Sequence, residues 1–309
     1  MKKCWYNEYI KHEKENTREY IIENEFLRVT VIENGAQVKS VISKCDGVEH
    51  MWNGNPDVWK YHSPVMFPYT GKVKDGRIEI RNQIIENAPQ HGFHRISNHS
   101  LVSHNKDCVV LSLETSDATM AIWPYQFRLL STFKLEERSL VHTLTVENLD
   151  EEAFSFGIGY HPAYTIPFDD QHTIADYELR FSDMESPICL EAPTGLLNGK
   201  YYTLGSNIRS MDVTEGMFDS GSHCMVNLRS KTLGLYEKGS GRAVVCDIQD
   251  FPYCLIWSQP GKPPFICIEP WHSVPSMESG SYRWEEKVAA AFVAPGASWS
   301  CAMKTSFIR

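Results

Sequence analysis

Phe127-Arg128-Leu129-Leu130-Ser131-Thr132-Phe133-Lys134-Leu135, then Glu136-Glu137-Arg138-Ser139, then Leu140-Val141-His142-Thr143-Leu144-Thr145-Val146, is the stretch that decides the fold class. Phe127, Leu129, Ser131, Phe133 and Leu135 occupy alternate positions, and successive side chains of a strand point to opposite faces. The polar run 136–139 reads as a turn and residues 140–146 as a returning strand, which together make a β-hairpin. The same period recurs outward from it, in Leu27-Arg28-Val29-Thr30-Val31 and in Val109, Leu111 and Leu113. Further strands are predicted over 154–160, 223–228, 232–236, 243–247, 253–257 and 265–269. Asn34-Gly35, Asp75-Gly76, Lys238-Gly239-Ser240-Gly241 and Pro260-Gly261 are turn signals between strands. Helical periodicity is weak, with candidates only at 279–291 and 216–221. No repeat, low-complexity tract or linker interrupts the chain. The expectation is all-β: a large antiparallel β-sandwich spanning residues 1–309 as one domain with long loops. Residues 1–20 form an N-terminal extension or an edge strand.

The chain has 309 residues, 42% of them hydrophobic, with 39 acids against 30 bases and a net charge of −9. That composition supports a packed core and excludes disordered or collagen-like classes. An acidic balance argues against nucleic acid as a partner, because phosphate tracking needs clustered Lys and Arg. Charged residues break up the first 20 positions, so no signal-peptide apolar region is present. The apolar stretch 288–294 falls far short of the ~20 residues of a membrane helix. These features predict a soluble, cytoplasmic protein with no membrane partner. Nine cysteines, odd in number and never spaced C-x-x-C, give no support to a zinc ribbon or a disulfide framework and read as reduced core residues.

Three segments carry chemistry. In Phe156-Gly157-Ile158-Gly159-Tyr160-His161-Pro162-Ala163-Tyr164, strand alternation puts Gly157, Gly159 and His161 on one face. Glycines in a strand mark a close approach by something else. His161 is therefore either beside a ligand or a core histidine bonded to a carbonyl. In Phe265-Ile266-Cys267-Ile268-Glu269-Pro270-Trp271, Glu269 shares a face with Phe265 and Cys267. Burial there raises a carboxyl pKa towards neutrality, which suits a general base; the alternative is a strand-end Glu exposed or paired with an Arg. In Gln90-His91-Gly92-Phe93-His94-Arg95, two histidines three apart lack the third cluster a metal site needs, and a polar donor loop is the better reading. The P-loop, G-x-S-x-G and G-x-G-x-x-G signatures are absent. Trp123, Trp257, Trp271 and Tyr160 read first as core. An aromatic face beside an acid/base pair also holds sugar rings through their apolar C–H faces.

Taken in order, these segments resemble the aldose 1-epimerase (galactose mutarotase-like) family, in particular its divergent bacterial branch. The resemblance runs from Glu33-Asn34-Gly35-Ala36 through Met66-Phe67-Pro68-Tyr69-Thr70-Gly71-Lys72, Gln90–Arg95, Trp123-Pro124-Tyr125-Gln126-Phe127 and Gly159–Tyr164. It continues through Phe251–Ser258 and Cys267–Trp271 to Pro295-Gly296. It implies a supersandwich with the sugar in a cleft on one sheet and no metal or organic cofactor. It implies Glu269 as the base that takes the anomeric hydroxyl proton and His161 as the acid that protonates the ring oxygen. Both are expected to face one cleft on the same sheet, Glu269 with a raised pKa and His161 near neutrality. His91 corresponds to a second histidine at the ring oxygen or its neighbouring hydroxyls. Lys72 stands where relatives often carry Arg, and Asp219 is nearest to the family's acidic sugar ligand, although Gly221 or Ser222 could occupy that place. Trp257 and Arg95 complete the expected sugar contacts, and the assembly is a monomer or homodimer. Two further functions fit the resemblance: a hexose-6-phosphate mutarotase gripping phosphate with Lys72, Arg77 or Arg95, and a sugar-binding protein without turnover.

Overall fold

Strands Phe127–Glu136 and Ser139–Asn148 pair in continuous antiparallel register, from Phe127 opposite Asn148 to Glu136 opposite Ser139. Every alternate residue of the first, from Phe127 to Leu135, is buried. This hairpin lies inside a nine-stranded antiparallel sheet that runs, edge to edge, Ile208–Asp212, Tyr177–Glu185, Thr232–Glu237, Ala243–Asp247, Ser298–Ile308, Ser139–Asn148, Phe127–Glu136, Cys108–Glu114 and Ser100–His104. The computed structural model describes residues 17–309. Most of the expected N-terminal extension lies outside the described residues. Glu19 and Tyr20 open the edge strand Glu19–Glu23, which pairs with Leu27–Ile32 and through it with Gln37–Ser43.

A second antiparallel sheet carries the site. Its order is Tyr201–Thr203, Ile188–Leu190, His223–Val226, Tyr253–Trp257, Phe265–Trp271, Gly159–Tyr160 and Val65–Met66, with Ala163–Thr165 also paired to Phe265–Trp271. All seven residues of Phe265–Trp271 are buried, so this strand is covered on both faces. Ile266 and Ile268 join Val109, Leu111 and Phe133 of the first sheet in the core between the sheets. Each stabilises the sandwich by about 1.5–3 kcal/mol of apolar burial. Phe265 and Cys267 face the other way, against Trp52, Ala163, Trp59 and Trp257, and the strand's period puts Glu269 and Trp271 on that same outer face.

Neither predicted helix forms. Residues 279–291 hold one 3-10 turn, Trp284–Glu286, and lead into the strand Ala291–Val293. Trp284 is pulled into the core by Trp123, edge-on at 4.8 Å, and its Nε1 donates to the Ser155 carbonyl at 2.8 Å. Tertiary packing of that ring outweighs local propensity. Residues 216–221 form turns, because Gly216 and Gly221 sit at φ of 76° and 102°, outside the helical region. The eight described cysteines are free; five are buried as expected, Cys108 and Cys301 are half-buried, and Cys45 is exposed, so the core reading fails for Cys45. No helix among the described residues is long and apolar enough to cross a membrane.

Candidate active site

The outer face of the second sheet brings the two expected catalytic side chains together. Gly159 pairs with Trp271 across the sheet, so the chain leaving Gly159–Tyr160 delivers His161 beside Glu269. His161 Nε2 lies 3.4 Å from Glu269 Oε2, and the two side chains are 8% and 2% exposed. No hydrogen bond reaches Glu269 Oε2 or His161 Nδ1. Neither an arginine nor bulk solvent compensates Glu269, so burial pushes its carboxyl well above the usual range, a hydrogen bond from Trp271 opposing only in part. Burial also lowers His161 to about 3, helped by the charge of Arg95. The expectation that His161 stays near neutrality is therefore not met, because the enclosure that raises the acid also disfavours the imidazolium.

His91 closes the third side. Its ring meets His161 edge-on at 5.7 Å and Trp271 at 5.9 Å. Its Nδ1 accepts the Gly71 amide proton at 3.0 Å, and burial, with Arg95 and His161 adding to it, holds its pKa well below the ordinary value. A neutral imidazole that accepts at Nδ1 carries its proton on Nε2. His91 is thus an Nε2–H donor, and the Gln90 side-chain amide, placed with its nitrogen 3.2 Å away, must turn so that Oε1 accepts that proton. His94 does not join it: its Nε2 contacts His99 Nε2 at 3.1 Å inside the core, so the H-x-x-H pair divides between two environments.

The glycines of Gly157 and Gly159 serve the protein rather than a ligand. A Cβ on Gly159 would lie 2.6 Å from Trp271 Cδ1, and one on Gly157 would lie 2.8 Å from Ser273 Cβ. The space left open in the strand is filled by these side chains, and Trp271 Nε1 donates to the Tyr160 carbonyl at 3.2 Å. Trp257 meets His161 edge-on at 5.6 Å. Trp59, which no sequence signal marked, lies over His161 at 5.0 Å and 30° from parallel. It comes from an irregular segment, where neither period nor motif distinguishes it.

The remaining expected contacts have other partners. Lys72 Nζ donates to the Thr194 carbonyl at 2.8 Å. Asp219 is exposed and accepts the Gly261 amide at 2.8 Å, tying one loop to another. Arg77 pairs with Glu79 at 2.6 Å and Glu86 at 3.7 Å and covers the Tyr282 ring. Arg95 donates to the Gln90 carbonyl at 2.8 Å and lies over Tyr61, close enough for its charge to act on both His91 and His161. His161, Cys267 and Glu269 present ligand atoms within 4.8 Å of one another. Burial keeps the Cys267 thiol protonated, and metal ligation needs the thiolate.

The aldose 1-epimerase family profile matches residues 18–281. The LacX proteins of Lactococcus lactis subsp. lactis are 31% identical over 283 residues, 89% of this chain and 94% of theirs. A galactose mutarotase-like protein from Lactobacillus casei superposes with a TM-score of 0.87 at 25% identity, over 94% of this chain and all 100% of its own. A galactose mutarotase related enzyme from Lactobacillus acidophilus gives 0.89 at 23% identity, over 94% and 97%. Fold, matched length and the relatives agree with the motif order, and the chain belongs to the aldose 1-epimerase family.

Proposed function

We propose that this protein is an aldose 1-epimerase that interconverts the α and β anomers of an unphosphorylated hexose or related pyranose. The carrying observation is the buried His161–Glu269 pair, 3.4 Å apart, spaced to meet two oxygens bonded to one anomeric carbon. Glu269 takes the proton from the C1 hydroxyl while the C1–O1 bond gains double-bond character. The C1–ring-oxygen bond breaks, and His161 Nε2–H protonates the departing ring oxygen. Rotation about C1–C2 presents the other aldehyde face. On closure His161 removes the proton from the attacking hydroxyl and Glu269 returns one to O1. His91, with its proton on Nε2, donates to the ring oxygen or a neighbouring hydroxyl.

The pair carries one proton throughout. Burial favours the uncharged arrangement, with that proton on Glu269. Ring opening starts from the arrangement with the proton on His161 and ends in the uncharged one, so the enclosure favours the aldehyde intermediate. No metal or organic cofactor enters these steps.

A neutral sugar is supported by two of the three basic side chains expected to grip phosphate, Arg77 being held by two glutamates and Lys72 by a carbonyl, while the third, Arg95, lies near the site, bonded to the Gln90 carbonyl and stacked on Tyr61. Saturation-transfer NMR of anomer exchange across a sugar panel tests the reading. Exchange is expected with wild type and lost in Glu269→Gln while binding survives. Equal exchange in both would overturn the assignment of the base, and stronger competition by glucose 6-phosphate than by glucose would overturn the neutral substrate.

A further inference from the structure

We propose that Trp59 is both the gate of this site and the ring on which the sugar stacks, with Gln259 as the latch of the gate; the proposal rests on the sugar-binding reading above. The dyad must touch a sugar, yet His161 and Glu269 are almost fully enclosed, so one wall has to move. Trp271 is wedged against Gly159 and bonded to Tyr160. Trp257 is part of the strand Tyr253–Trp257, and His91 is pinned by Gly71. Of the three tryptophans at the site, Trp59 alone lies outside a strand, in the irregular segment 53–63.

That segment is tied together as a unit. Its base is closed where His62 Nδ1 meets the Trp52 carbonyl at 2.8 Å and the His62 amide donates to Gln37 Oε1 at 3.0 Å. Inside it, the Val58 and Trp59 amides both donate to the Asn55 carbonyl, at 3.1 and 2.8 Å, and the Asn55 amide donates to Asn53 Oδ1 at 2.9 Å. Trp52 Nε1 donates to the Trp59 carbonyl at 2.7 Å. Among the described residues, one hydrogen bond joins residues 53–61 to the opposite wall of the site. It runs from Gln259 Nε2 to the Val58 carbonyl at 2.9 Å. The remaining restraints are the Arg95 guanidinium over the Tyr61 ring at 4.9 Å and apolar packing, the Trp59 ring lying 5.3 Å from Phe265 and 5.6 Å from Trp257.

At 5.0 Å between ring centres, Trp59 and His161 leave no room for a pyranose between them. Opening exposes the indole and breaks the Gln259 bond. A sugar entering with its C–H face towards Trp59 restores that apolar contact, while its hydroxyl rim meets the Gln90–His91 side. Aromatic contact of this kind supplies affinity without directional hydrogen bonds, so Trp59 sets tolerance for ring shape rather than for one hydroxyl.

The test titrates D-galactose and D-glucose into wild type, Trp59→Phe, Trp59→Ala and Gln259→Ala, following tryptophan emission and anomer exchange. Wild-type emission is expected to change on sugar binding, and Trp59→Phe to lose that change. Trp59→Ala is expected to raise KM about tenfold, the equivalent of about 1.4 kcal/mol of stacking. Gln259→Ala, which keeps every ring, is expected to alter kcat and KM together by opening the gate more often. A sugar-induced change that persists in Trp59→Phe, or a KM within twofold of wild type in Trp59→Ala, overturns the gate. The same titration on Glu269→Gln separates the two readings. Emission changes that depend on Trp59 without any wild-type exchange would sink the epimerase reading alone, and exchange indifferent to Trp59 would sink the gate alone.

Discussion

The amide of Gly71 donates to Nδ1 of His91 at 3.0 Å, and this bond decides which proton His91 can offer. With Nδ1 occupied and the imidazole held neutral by burial, Nε2–H is the donor, its direction set by the ring, and the neighbouring Gln90 amide must present its oxygen to it. Donors fixed in advance where charge develops contribute most to catalysis.

Under the proposed epimerase mechanism, replacing His91 is expected to lower kcat/KM by about 10²–10³. Asn is the informative substitution, because His91 sits at φ 66° and Asn tolerates left-handed backbone. His91→Asn is expected to fold with a near-native melting temperature and to lose rate rather than structure. NMR exchange rates beside a thermal melt check this. A large loss of melting temperature would make the residue structural instead.

Glu269→Gln is expected to make the protein more stable at neutral pH. The folded carboxyl is raised well above 4.5, so its contribution is fully present below pH 4.5 and lost as pH rises towards the folded pKa. Gln imitates the protonated acid and does not titrate. Thermal melts should show the variant ahead of wild type at pH 8, with the gap narrowing as pH falls. A constant gap, or a variant less stable at pH 8, contradicts the raised carboxyl.

The strand carrying Glu269 was legible because period 2 survives burial on both faces: Phe265, Cys267 and Glu269 share one side whatever packs against them. Antiparallel architecture followed from the same signal in residues 127–146. The glycines at 157 and 159 showed that something approaches closely, but not that it is Trp271 and Ser273, which arrive from over a hundred residues away. Arg77 and Lys72 looked available for an anion because sequence does not reveal that Glu79, Glu86 and the Thr194 carbonyl take them. Trp59 was invisible for the complementary reason, since its position depends on how residues 53–63 fold back over another strand.

Gly159→Ala is expected to cost both stability and activity. The added methyl would lie 2.6 Å from Trp271 Cδ1 and 2.9 Å from Met66 Cε, and overpacking of this kind costs about 1–3 kcal/mol. Relief requires Trp271 to shift, and Trp271 touches His91 and shares the outer face of its strand with Glu269. Urea unfolding should show the loss of stability, and kcat/KM should fall with it. Unchanged activity in the folded variant would mean that Trp271 does not position the site.

Acid should unfold this protein steeply, because burial keeps many of its histidines neutral. His50, His99 and His272 are lowered to about 4, and His142 and His161 to about 3. For each of these the unfolded state binds the proton first. The stability each contributes is complete above pH 6.5 and is lost as pH falls from there through the folded value, by about 1.4 kcal/mol per pH unit per proton. His142 offers the cleanest test. Its ring stacks on Phe133 at 4.0 Å, and its Nε2 is buried with no partner. His142→Phe retains the stack and removes one titrating group. Urea unfolding between pH 7 and pH 5 should give a slope shallower than wild type by about one proton, and parallel curves would show that His142 does not contribute to acid sensitivity.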